Sequence, residues 1–275
     1  MKQTFSLRCL FAYLLIFVMS LLLTLTCLLV VASLTVFDGS RLTQSLIEVK
    51  ASERSAVLIK QEVIEIGLLY GVESDVFEGL DIEKYTRPIT TTVYPELISD
   101  NMDKYAELFE IDVFHSLKAY ILTQGLTWTQ EVEEGTAEMT KEVVSVFRKV
   151  AVLPLHQNYF NLIQTFDRLF YPVLLILLLF LIVQQQILYR LDHRRHYRNL
   201  SFLLLTCGWM LLLIPGYLLI TEFYKKIMIY PDYFRDFLGC QIEITLSMTV
   251  WAGLGMIALA LIAFALDHRK ENSIG

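Results

Sequence analysis

The sequence predicts an all-α membrane protein: four transmembrane helices with a mostly helical extracytoplasmic domain inserted between the first and second spans. Three observations carry that expectation. Hydrophobic residues make up 55% of the 275-residue chain and charged residues only 19%, with a mean hydropathy of +0.51. Such a composition is too apolar for a molecule that meets water on every face. The apolar residues fall into long blocks, as a hydrocarbon layer requires, and basic residues gather at one set of block ends.

Residues 1–9 form a short cytoplasmic N-terminus containing Lys2 and Arg8. The first block, 10–37, has no charged side chain. It is longer than a secretory signal core of roughly 7–15 residues, and no clear small-x-small cleavage motif precedes Asp38, so an uncleaved anchor is expected. The other blocks are 169–189, 200–221 and 244–266. At about 1.5 Å per residue each crosses roughly 30 Å of hydrocarbon. A backbone in lipid satisfies its own hydrogen bonds, so these blocks are read as helices.

The flanking charges set the orientation. Loop 190–199 is short and basic, and the tail 267–275 also carries basic residues, so both termini are expected in the cytoplasm. The loop 222–243 dissents mildly, since Lys225, Lys226 and Arg235 lie among Glu222, Asp232, Asp236 and Glu243. Arg190, His193, Arg194, Arg195 and Arg198, with His268, Arg269 and Lys270, form a basic inner edge. It fixes topology and suits anionic lipid head groups. His193 and His196 with Asp192 have a ligand-like spacing, but the surrounding arginines disfavour a bound cation.

Segment 38–168 is large enough for one independent core. It holds 22 acidic and 12 basic side chains, a balance of −10 against +4 for the rest of the chain. An acidic surface repels nucleic acid and leaves lipid and protein as the expected partners. Leu42, Leu46, Val49, Val57, Ile64 and Leu68 mark one helical stripe that ends at Gly71. Pro95 opens a second helix, carried by Leu97, Met102, Tyr105, Leu108, Phe109, Val113, Leu117 and Tyr120 up to Gly125. A third, from about Trp128 to Val152, starts acidic and ends basic, as the helix dipole favours. An amphipathic piece, 155–166, leads into the second span. Thr90–Val93 is the only extended run, and the less favoured alternative uses 86–94 as a strand.

The cysteines are Cys9, Cys27, Cys207 and Cys240, and 38–168 has none, so no disulfide staples it. It also lacks an Asn-x-Ser/Thr acceptor, and the two absences together fit a bacterial plasma membrane. The second and fourth spans end alike, in Leu191-Asp192-His193-Arg194-Arg195 and Leu266-Asp267-His268-Arg269-Lys270. Duplication of an out-and-back hairpin is one reading; a shared need for basic exits is the other.

Chemistry is harder to find. No nucleophile elbow, zinc-peptidase motif, phosphate loop or dinucleotide fingerprint occurs, and the span centres hold no ionisable residue. No cofactor or metal is expected. Gln184, Gln185 and Gln186 point around their helix and read as interfacial or helix-pairing residues. Ala252, Gly253, Gly255, Ala258, Ala260 and Ala263 form a run of small side chains suited to close helix approach, with Ala252, Gly255 and Ala258 as the expected packing positions, and Pro215-Gly216 predicts a kink in the third span. Pro172 suits a first turn. The tetraspan order resembles claudin-like proteins in topology alone; the outer tryptophan and paired cysteines of that family are absent.

A non-enzymatic subunit or scaffold of a cell-envelope complex, acting through its acidic ectodomain on a protein partner or a second copy, is the first functional expectation. An extracytoplasmic sensor coupled to a separate output protein is the second. A transporter or channel component is the third.

Overall fold

The computed structural model describes residues 7–90, 95–151, 156–191 and 196–274. His193, Arg194, Arg195 and most of the Thr90–Val93 run lie outside them, as does the Lys270 side chain. The described residues contain helices and no strand. In chain order the helices are α1 (Leu7–Leu34), α2 (Gly39–Glu48), α3 (Ala51–Leu69), α4 (Asp75–Glu78), α5 (Glu83–Thr90) and α6 (Pro95–Thr123). They continue as α7 (Gln130–Val150), α8 (His156–Leu191), α9 (His196–Thr221), a 3-10 turn (Phe223–Lys226) and α10 (Asp232–Ile274). Four are long and apolar enough to cross a membrane, over Leu10–Leu34, Leu162–Arg190, His196–Thr221 and Asp232–Arg269.

The chain divides into two compact units. Unit 1 is Met1–Asp38, Ile163–Ile227 and Gly239–Gly275; unit 2 is Gly39–Leu162 and Met228–Leu238.

Unit 1 contains the apolar stretches. Ile16 and Met19 of α1 cluster with Leu188 of α8 and Leu203 of α9. The α1–α9 contact continues through Thr24, whose Oγ1 lies 3.7 Å from Met210 Sδ. Because 16–24 runs alongside 203–210, these two helices are parallel. α10 approaches α9 through glycine. A Cβ added at Gly208 would fall 2.6 Å from Ile257 Cγ1 and 2.9 Å from the Gly253 carbonyl oxygen. Ser201 Oγ caps the same contact by donating to the Ala260 carbonyl at 2.9 Å. The hydroxyls of Thr24, Thr26, Thr35, Thr206, Thr245 and Thr249 each donate to the carbonyl four residues back, at 2.7–2.8 Å. An apolar helix thereby carries threonine without an unsatisfied donor.

Pro172 lies inside α8 rather than in a first turn. The amphipathic piece before it runs into the apolar stretch as one helix, so α8 already begins at His156. Pro215 is inside α9.

Unit 2 is a bundle of helices around an aromatic core. Phe109 stacks on Phe147, with centroids 4.7 Å apart, and tilts against Tyr85 at 5.5 Å. Met102, Phe109, Val113 and Leu117 of α6 are buried together with Met139, Val143 and Phe147 of α7. Thr129 caps α7 by accepting from the Val132 N–H at 3.4 Å, and Arg148 and Lys149 occupy its last turn. Gly125 has φ +74° and turns the chain between the two helices, where Lys118 Nζ sits 4.8 Å from the Trp128 ring centre. Gly71 ends α3 at φ +76°.

The stripe expected over 40–69 is cut in two. Lys50 adopts φ 54° between α2 and α3. Leu42, Ser45 and Leu46 are buried on α2, then Ala51, Ser55, Ala56, Ile59, Val63 and Ile66 on α3. The step from 46 to 51 would swing a straight helix away from its own apolar face, and the turn at Val49–Lys50 resets the phase. The buried face of α3 is therefore Ile59, Val63 and Ile66, while Val57 and Leu68 face outward. Residues 83–90 form α5 and no strand.

Segment 228–238 belongs to unit 2, although the sequence reads it as part of a separate short loop. Its Tyr233, Phe234 and Phe237 are buried, and Tyr233 OH donates to the Val150 carbonyl at 3.2 Å.

Candidate binding cleft in unit 2

Unit 2 has an open cleft of about 500 Å³ between the first half of α3 and residues 230–236. Lys50, Glu53, Arg54, Val57 and Leu58 line one side, and Tyr230, Asp232, Tyr233, Arg235 and Asp236 the other. The left-handed turn at Lys50 brings the start of α3 to this place. On the opposite wall, Asp232, Arg235 and Asp236 share one face of the first turns of α10, and Tyr233 anchors that segment in the core.

The charges pair in two groups. Arg54 Nη1 bonds Asp236 Oδ2 at 2.6 Å, and Arg235 reaches Asp232 at 3.2 Å and Asp236 at 3.3 Å. Lys50 pairs with Glu53 at 3.1 Å. Three cations and three anions cancel, and all of these side chains keep contact with water, so the pairs contribute little stability. Their chemical capacity is recognition. A ligand carrying both signs of charge can exchange partners with them, and Val57, Leu58 and the exposed Tyr230 ring offer it an apolar surface. Cys, His and Ser are absent from the lining residues.

Sequence reasoning passed over this cleft because it weighed 222–243 only as a vote on orientation. The available signal was the alternation in Asp232-Tyr233-Phe234-Arg235-Asp236, with ion-pair spacing on one face and aromatics on the other.

The polar and basic positions named from sequence are scattered. Arg190, His268 and Arg269 are exposed and Arg198 is half-buried at its helix start. Gln184 is buried with its Oε1 unpartnered among the described residues, as is Asn199 with its Nδ2, whereas Gln186 is exposed. Among the small residues, Gly255 has open space around it, Ala258 is exposed and Ala252 half-buried. Gly253 and Ala260 of the same run are the ones that meet α9, at Gly208 and Ser201. Among the described residues no group of three His, Cys, Asp or Glu side chains is placed to hold a metal.

Comparisons with protein-family models, with characterised proteins and with solved structures give no match to this chain.

Proposed function

We propose that the chain is a non-enzymatic four-span membrane protein of the cell envelope, with both termini cytoplasmic and unit 2 outside. In this reading it is a subunit or scaffold that binds a protein through unit 2. The placement is supported by the joining of 39–162 with 228–238 in one folded unit. Two segments that share a core lie on the same side of a bilayer. The chain between them, α8 and α9, must then cross an even number of times, and the basic ends of those helices favour the cytoplasm for the opposite side.

Protein binding is carried by one observation. Leu68 and Leu69, at the end of α3, are 61% and 84% exposed on a unit that this placement puts in water. With the exposed Tyr70 beside them they make a continuous apolar patch at the end of α3, the kind of surface that a protein partner covers. The test is photo-crosslinking from position 69 in intact cells. A discrete adduct, abolished by Leu68→Asp with the fold of unit 2 retained, is expected. Unchanged mobility of the chain after irradiation would remove the proposal.

The cleft favours a second reading, a sensor of a zwitterionic small molecule that signals to a separate protein. Free amino acids and short peptides that fail to raise the melting temperature of the full chain would count against it.

A further inference from the structure

Helix α3 carries two apolar faces, and unit 2 uses one of them. Ile59, Val63 and Ile66 are buried, whereas Val57 and Leu68 are 57% and 61% exposed, Gln61 is exposed and Ile64 is half-buried. The outward residues Val57, Gln61, Ile64 and Leu68 follow one another at steps of four, three and four. They form a single strip along the helix, with the spacing by which two helices pair knobs into holes. The strip is bounded at both ends. Arg54, the next position toward the N-terminus, is held by Asp236 at 2.6 Å, and the helix stops at Leu69, ahead of the turn at Gly71. Lys60 and Glu65 flank the strip on opposite sides, and Lys60 Nζ donates to the Glu78 carbonyl at 3.0 Å.

We propose that this strip is the contact through which two copies of the chain pair, α3 against α3 of the second copy, parallel and in register. Such pairing deepens the protein-binding reading above, on which it rests, by naming the partner. Charge decides the occupant. In a parallel pair a residue on one flank reaches the opposite flank of the other helix five positions further on. Lys60 is thereby set beside Glu65 of the second copy, twice by symmetry. Gln61 then meets Gln61, and each amide both donates and accepts. A polar pair inside such a seam fixes register and direction. The order of Ile64 and Leu68 would favour four strands in a free coiled coil. Here α4, α5 and α7 pack against α3 and leave one open face, for one neighbour. Because unit 2 already holds α3 as a helix, pairing carries no cost of helix formation. Anchoring in a common bilayer raises the effective concentration of the copies.

The test uses the full chain in native membranes, with Cys9, Cys27, Cys207 and Cys240 replaced by Ser. Gln61→Cys should give a disulfide-linked dimer on mild oxidation, while Glu134→Cys, exposed on α7, should stay monomeric. Lys60→Glu and Glu65→Lys should each lower the dimer yield at position 61 by about fivefold, because each brings like charges together at two symmetric places. The double exchange should restore it, which separates pairing from damage to the fold. No dimer at 61, equal yields at 61 and 134, or a double exchange as poor as the single ones would each overturn the proposal. If position 61 gives no dimer while position 69 crosslinks to a different protein, the pairing fails and the broader protein-binding reading stands. Loss of both signals would remove both.

Discussion

Tyr85 shows how single side chains hold unit 2 together. Its ring is buried against Phe109 and its hydroxyl donates to the Asp112 carboxylate. Burial first, and then the hydrogen bond to Asp112, push its phenol above the ordinary value of about 10. The folded state therefore holds this proton more tightly than the unfolded state does. The associated stability is complete below about pH 10 and is lost as the pH rises from there toward the raised folded value. Tyr85→Phe should cost about 1.5–3 kcal/mol at neutral pH, the range for a hydrogen bond to a charged group. It should also flatten the decline above pH 10. Limited proteolysis of unit 2 in the full chain, followed against pH, measures both effects; equal alkaline slopes in the two proteins would refute this assignment.

At the scale of helices, the decisive feature is where glycine permits backbones to meet. Gly208→Ala places a methyl group against Ile257 and the Gly253 carbonyl, and the backbone cannot yield as a side chain does. A loss of about 1–3 kcal/mol is expected, typical of overpacking. Gly255→Ala meets open space and should be neutral or slightly stabilising through helix propensity. Thermal unfolding of the two variants in one detergent separates them, and equal melting temperatures would contradict the assigned contact. The same pair shows what a sequence conceals. The run of small residues in α10 was legible, but which of them face α9 depends on helix rotation, and 253 and 255 differ by about 200° around the axis. Along α6, by contrast, Met102, Phe109, Val113 and Leu117 are buried as read, because one uninterrupted helix keeps its phase, while Leu108 of the same stripe is exposed. On α3 the choice of face failed because the turn at Lys50 is invisible to a periodicity count. The cleft was out of reach for a related reason: it joins residues roughly 180 positions apart.

For the whole molecule, the all-helical architecture and the four long apolar helices follow from composition and block length. The outside placement of unit 2 is the claim from which the rest of the functional account proceeds. It is tested most directly by reacting intact cells with a membrane-impermeant thiol reagent. Glu134→Cys and Arg269→Cys would be introduced singly after Cys9, Cys27, Cys207 and Cys240 are replaced by Ser; both positions are exposed. The account predicts labelling at position 134 in intact cells and at position 269 only after the membrane is permeabilised. Labelling at 269 in intact cells, or protection of 134 until permeabilisation, would contradict it.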